Sequence, residues 1–392
     1  MQYTLTPDAV HAHAFALLRR HLRLQDFSAR CTARMLLAVV FCACARLCSV
    51  FAAAKALRAA PSPETVRKAL LASLPEQDDL ERRLNRALAQ DLPKPLRRRK
   101  QRLAADLILI PYHGQPHEDE DEVYRGQAKS GTTHFHAYAT LYLVYRGQRF
   151  TLALTAVRKG EPLQGVLQRL LQRASRLGVR PQLLLLDRGF CSVDVIRYLQ
   201  AARYPFLMPL PLRGLKEDDP GGPSGSRVFA SWKRSGFAEY TLRNDKGRKA
   251  TVGVCVVCRN ERGRRGRHGR RRLVYAFWGL QPSSCDWVRE TYRTRFGVES
   301  SYRQLNEARA KTSTRNPVVR LFLVGVALVL RNVWVWLHYA VLSTPRRGRR
   351  RFNPERLRFK ALLLMLLHVA EHWLGTWDDV HTERPVEIAD TG

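Results

Sequence analysis

This sequence predicts an α/β fold: a mixed sheet flanked by helices, with a β-rich insertion and an N-terminal helical domain. Three observations predict it. Hydrophobic periodicity is helical to about residue 92. From Leu103 the runs alternate between strand and helix in the order βββαβαβ. After a second group of strand-like runs within 212–272, the chain returns to helices apolar enough to cover a sheet.

Composition narrows the function classes. A chain of 392 residues with 45% hydrophobic content has two or three domains with real cores and is not a disordered tail. Lys and Arg number 67 against 34 Asp and Glu, and the net charge of +33 makes a polyanion, above all nucleic acid, the default partner. Seven Trp and long apolar strands argue against a mere packaging protein. Eight scattered Cys, behind an N-terminus without secretory character, predict reduced thiols in the cytoplasm. Cys255 and Cys258 form one CxxC with no second pair, so they are expected on a strand and not around zinc. The apolar stretches 35–54 and 321–342 are broken by Arg46 and by Arg331 and Asn332, which predicts buried core helices and no membrane partner.

Taken in order, Thr6-Pro7-Asp8, Ser28 and Pro61-Ser62-Pro63-Glu64 each open a helix of the domain at 1–92. Short helices with tight turns suit a DNA-reading helix-turn-helix, and equally a bundle serving as a dimer or scaffold element. The segment 93–102 sets Arg97, Arg98, Arg99 and Lys100 beside prolines, a basic linker and phosphate contact.

The first part of a catalytic domain then spans 103–211. LAADLILI, THFHAYATLYLVY and QRFTLALTAV are three strands, the last two joined as a hairpin at Arg146-Gly147-Gln148. Residues 161–178 form a helix, PQLLLLD a buried strand, Ser192 caps VDVIRYLQAA, and YPFLMPL is the fifth strand. A right-handed crossover lays the strand ending at Asp187 parallel to the one carrying Asp106, so the two carboxylates approach each other. The acidic run HEDEDE at 117–122 ranks lower as a ligand source, because a strand holds a ligand more rigidly than a loop.

The β-rich insertion at 212–272 ends in an arm, 259–272, with eight Arg in fourteen residues; Arg264, Arg265, Arg270, Arg271 and Arg272 are candidate phosphate contacts. The catalytic domain resumes at 273–342. A basic loop and a C-terminal helix fill 343–392, where His368 and His372 lack the HExxH arrangement.

The helix opening at Asp286 puts Tyr292, Arg295, Glu299, Arg303 and Asn306 on one stripe. Alone, such a stripe is most simply a solvated face laced with i,i+4 pairs. With Asp106 and Asp187, however, Glu299 completes an oxygen donor set suited to a hard divalent cation, with positions left open for water and phosphate. Two such ions suit in-line phosphoryl transfer.

The pattern of Asp106, LLLLDRGF at 183–190, a β-rich insertion and Tyr292-x2-Arg295-x3-Glu299 resembles the DDE insertion-sequence transposases, in particular insertion sequence group four. The run ESSYRQLNEARAKTSTRNP before a long apolar helix extends the likeness, which covers roughly residues 100–340. The resemblance implies a ribonuclease-H-like catalytic domain, metal-dependent phosphodiester hydrolysis at transposon ends and strand transfer into target DNA. It implies Asp106, Asp187 and Glu299 as catalytic ligands of two Mg2+ or Mn2+ ions, with Tyr292 and Arg295 against the transposon end. Double-stranded DNA is then the partner, and synapsis of two ends makes a homodimer the expected assembly on it. One position departs: the pattern has Lys seven residues after the Glu, and this chain has Asn306, with Arg303 and Arg309 the candidates for the missing charge. A catalytically inactive or domesticated DNA-binding descendant is the alternative reading, and a stand-alone nuclease a third.

Overall fold

Local capping chemistry sets the first helices. In the computed structural model, α1 (Pro7–Leu22) begins where the Thr6 hydroxyl accepts from the Ala9 amide. The second helix, α2 (Ala33–Arg46), is capped by Thr32 and not by Ser28, which pairs with Cys31 in a tight turn instead. It is followed by α3 (Val50–Lys55), α4 (Pro63–Ser73) with its Ser62 cap, α5 (Gln77–Gln90) and the single turn α6 (Lys94–Arg97), which folds part of the expected linker. The structure describes residues 4–97, 99–145, 148–262, 268–344 and 353–376; at 148, 260–262, 268–270, 296–304 and 354 only the backbone is described.

The sheet begins with β1 (Lys100–Pro111), β2 (Tyr124–Lys129), β3 (Thr132–Tyr145) and β4 (Gln148–Val157). After α7 (Leu163–Arg176) come β5 (Arg180–Leu186), α8 (Val193–Ala201) and β6 (Phe206–Pro209). β3 is antiparallel to both β1 and β4, whereas β5 is parallel to β1 and β6 to β5. The order β4-β3-β1-β5-β6, with three antiparallel strands followed by two parallel ones, is a ribonuclease-H-like sheet. Of these strands only β2 escaped the sequence pattern, because its YRGQAK is polar and mostly exposed beside the start of β3.

The insertion expected at 212–272 does not stand apart from this sheet. β7 (Gly236–Arg243), β8 (Lys249–Arg262) and β9 (His268–Trp278) continue it, β9 pairing antiparallel with β6 and β8 lying between β9 and β7. β9 crosses the expected boundary at 273, so the nine strands of the described residues form one sheet. Cys255 and Cys258 lie on β8, as expected of strand residues.

Beyond the sheet, the described residues form α9 (Cys285–Ala308), capped by Ser284, then α10 (Pro317–Leu337) and α11 (Phe359–Leu374). The helix containing α10 is long and apolar enough to cross a membrane, yet 94% of its apolar window is buried in the protein. It is the central core helix. α5 lies against α10 and β4, and α1 and α2 lie against α11, so one continuous core joins the N-terminal helices to the sheet.

A buried amide fixes that junction. Asn332 of α10 donates to the carbonyls of Leu88 on α5 and Thr151 on β4 at 3.0 and 2.8 Å, and accepts from the Thr151 amide at 2.9 Å. Asn332→Leu strands those groups inside the core, where each costs about 1–3 kcal/mol. The expected loss is about 3 kcal/mol, read as a lower urea midpoint with unchanged slope. An unchanged midpoint would mean that the amide is not what joins the three elements.

Candidate active site

The sheet register brings the first two predicted acids together. Ala105 of β1 pairs with Leu186, the last residue of β5, so Asp106 and Asp187 are each the next residue along adjacent parallel strands. Asp106 sits mid-strand and is 6% exposed. Asp187 starts a 3-10 turn over Arg188–Phe190 but makes no side-chain cap bond there. Its carboxylate instead faces Asp106 across a single guanidinium. Arg295 of α9 donates to Asp106 Oδ2 at 3.0 Å through Nη1 and to Asp187 Oδ1 at 3.2 Å through Nη2. Arg295 is 8% exposed, and burial works against its charge; Tyr292, Asp106 and Asp187 outweigh that and hold its pKa above the ordinary value.

Helix α9 is held in register from below. Tyr292 is 1% exposed and its hydroxyl donates to the Leu186 carbonyl at 3.2 Å, at the end of β5 immediately before Asp187. Burial pushes its phenol pKa up. The Tyr292 ring lies 5.3 Å from the Arg295 guanidinium carbon, so the phenol ring supports the cation that bridges the acids. The expectation that Tyr292 faces DNA is therefore corrected: its ring is enclosed between the sheet and Arg295. Two residues along, the buried Arg149 of β4 donates to the Thr294 carbonyl at 2.8 Å, and Arg331 donates to the Arg149 carbonyl at 2.9 Å. Burial, with Arg331 close by, pulls the Arg149 guanidinium down to about 9. No sequence signal singled out Arg149, since in so basic a chain one more Arg on an apolar strand carries no mark of its burial.

Comparison with known proteins places this geometry. The family model described as Transposase DDE domain matches residues 97–331, a span that contains both acids, Arg295 and position 299. The chain belongs to that family. No curated protein is similar enough in sequence to match it. Among solved structures it is similar to piggyBac transposase in a synaptic complex with hairpin DNA, with a TM-score of 0.49 and 11% identity over 95% of this chain and 74% of that one.

The remaining site expectations divide by where they fall on this DDE-family chain. Position 299 lies one turn beyond position 295 on α9, and the side chains of Glu299 and Arg303 are outside the described residues. Among the described residues no three His, Cys, Asp or Glu side chains gather as a metal site. The residues that do converge fit a divalent cation: two carboxylates supply hard oxygen donors on rigid strands and are close enough to share one guanidinium. Arg97 is half-buried, its guanidinium donating to the Ala89 carbonyl of α5 and to the Leu92 carbonyl just beyond it. Arg99 and Lys100 are exposed at the start of β1. Half-buried Arg272 donates through Nε to the Trp232 carbonyl at 2.8 Å, whereas Arg271 is exposed. Arg98, Arg264 and Arg265 lie outside the described residues, as does the Arg270 side chain.

Proposed function

We propose that the chain is a DNA transposase of the insertion sequence group four kind, cutting at transposon ends and joining the freed 3′ hydroxyls to target DNA. The observation that carries this reading is the meeting of Asp106 and Asp187 at adjacent parallel strands beneath Arg295, on the helix that bears Glu299 one turn on. Asp106, Asp187 and Glu299 would hold two Mg2+ or Mn2+ ions, whose chemistry is to lower the pKa of water and neutralise the leaving oxygen. The chain's own residues do the rest. Strands β1 and β5 fix the spacing of the two acids, Tyr292 ties α9 to the end of β5, and Arg149 ties it to β4. Arg295, freed from the acids, is the cation positioned to meet a phosphate beside the cut. The double-stranded DNA partner, the homodimer that synapses two ends, and the place beside the nucleoid follow from the same reading.

The test uses labelled duplexes from the DNA flanking the gene, a supercoiled target plasmid and Mg2+ or Mn2+. Metal-dependent cleavage with recovery of joined products is expected. Nicking without joining would make the chain a nuclease instead, and salt-sensitive binding without either product would make it a non-catalytic binder.

A further inference from the structure

A second basic surface lies at the other end of the parallel strands. α5 and α7 border an open trough of about 540 Å3 whose lining includes Arg82, Arg86, Arg97, Arg173 and Arg176 and no acidic residue. Not all of these charges are available. Arg173 pairs with the buried Glu81, and Arg97 is turned into the α5 carbonyls. Arg82 makes a 3.2 Å contact to Asp79 while 60% exposed, a pair worth little in water. Arg86 and Arg176 are exposed and have no acidic partner among the described residues. The floor between them includes Leu152, so the trough offers cations along two rims above an apolar base.

Its position separates it from the acids. Arg176 ends α7 four residues before β5 opens, and Asp187 follows β5. Seven residue steps at roughly 3.3 Å each put Arg180, at the start of β5 beside the trough, about 23 Å from Asp187.

We infer that this trough binds the phosphate backbone of duplex DNA at a site separate from the cleavage centre, with Arg86 and Arg176 as its principal contacts. Exposed guanidinium groups on two helix rims match phosphates, and the nearby Asp79 and Glu81 are each paired with an arginine. The inference rests on the reading of the chain as a DNA-acting enzyme, and the two can fail separately.

Full-length protein and the double variant Arg86→Ala/Arg176→Ala are titrated by fluorescence anisotropy from 50 to 300 mM salt, with a duplex from the gene's flank and with an unrelated duplex. Each phosphate contact contributes about −0.9 to the slope of log K against log salt, so the variant slope should be shallower by about 2. Arg86→Lys/Arg176→Lys should keep the wild-type slope, which separates loss of charge from loss of fold. A change confined to the flank duplex identifies the trough as an end-binding site, and an equal change on both identifies it as a site for any duplex, including target. An Ala variant with the wild-type slope on both duplexes overturns the inference. Absence of salt-sensitive binding by the wild-type protein overturns the DNA-acting reading itself.

Discussion

Asp106→Asn and Asp187→Ala are each expected to lower metal-dependent strand cleavage by roughly 1,000-fold or more while leaving salt-sensitive duplex binding near the wild-type level. Metal-assisted phosphoryl transfer draws several kcal/mol from charge stabilisation, and each ~1.4 kcal/mol is a factor of ten in rate. Two acids that share one guanidinium form one centre, so removing either disables it. Asp106→Asn keeps the side chain's shape within the buried strand, and Asp187 is 37% exposed at its side chain, so neither change should unfold the sheet. Duplex binding belongs to the basic surface, which both variants retain. The measurement is single-turnover cleavage of a labelled duplex beside an anisotropy titration of the same DNA. Cleavage within tenfold of wild type in the Asp187→Ala protein would show that the acid pair is not the catalytic centre.

Arg295→Ala is expected to cost about 3 kcal/mol of stability in metal-free buffer, at the low end for breaking a buried ion pair because Asp187 is partly open to water. The loss comes from Asp106, 6% exposed, which is left facing Asp187 with no cation between them. Two consequences separate this from ordinary loss of packing. The double variant Arg295→Ala/Asp106→Asn should regain part of the loss, because the uncompensated charge is gone. Mg2+ should also raise the unfolding midpoint of Arg295→Ala more than that of wild type, where the guanidinium competes for the same oxygens. Equal Mg2+ shifts in the two proteins would sink the idea that Arg295 and the cation contend for one place.

The acid pair was legible because it depends on chain order alone: a strand, a crossover helix and a parallel strand leave little freedom in where Asp106 and Asp187 end up. Helix starts at Thr6 and Ser62 were legible as well, since a cap is chemistry between residues three apart. Thr32 took the start of α2 from Ser28 because both are plausible caps, and the turn that brings Ser28 to Cys31 decides between them. What the sequence could not carry was burial of the uncommon kind. Tyr292 looked like a surface residue among charges, and only the closeness of α9 to the end of β5 turns its hydroxyl onto Leu186. Arg149 went unmarked among so many basic residues, yet it lies inside the protein on a backbone carbonyl, with the Arg331 of the expected core helix donating to its own carbonyl. The continuity of the insertion with the main sheet was hidden for a similar reason: periodicity identifies a strand without naming its neighbour.

The bond from Asn332 to Leu88 spans 244 positions of sequence, and that span sets a schedule for synthesis. A ribosome delivers α5 long before α10, so the apolar faces of the first helices emerge with their partner helix still unmade. Until residue 332 clears the exit tunnel, the faces of α5 and β4 that α10 covers stay open, and the nascent chain carries exposed core surface for most of its length. A truncation anywhere between α5 and α10 releases a product with an open core, which quality-control proteases should clear before its basic surfaces can occupy DNA.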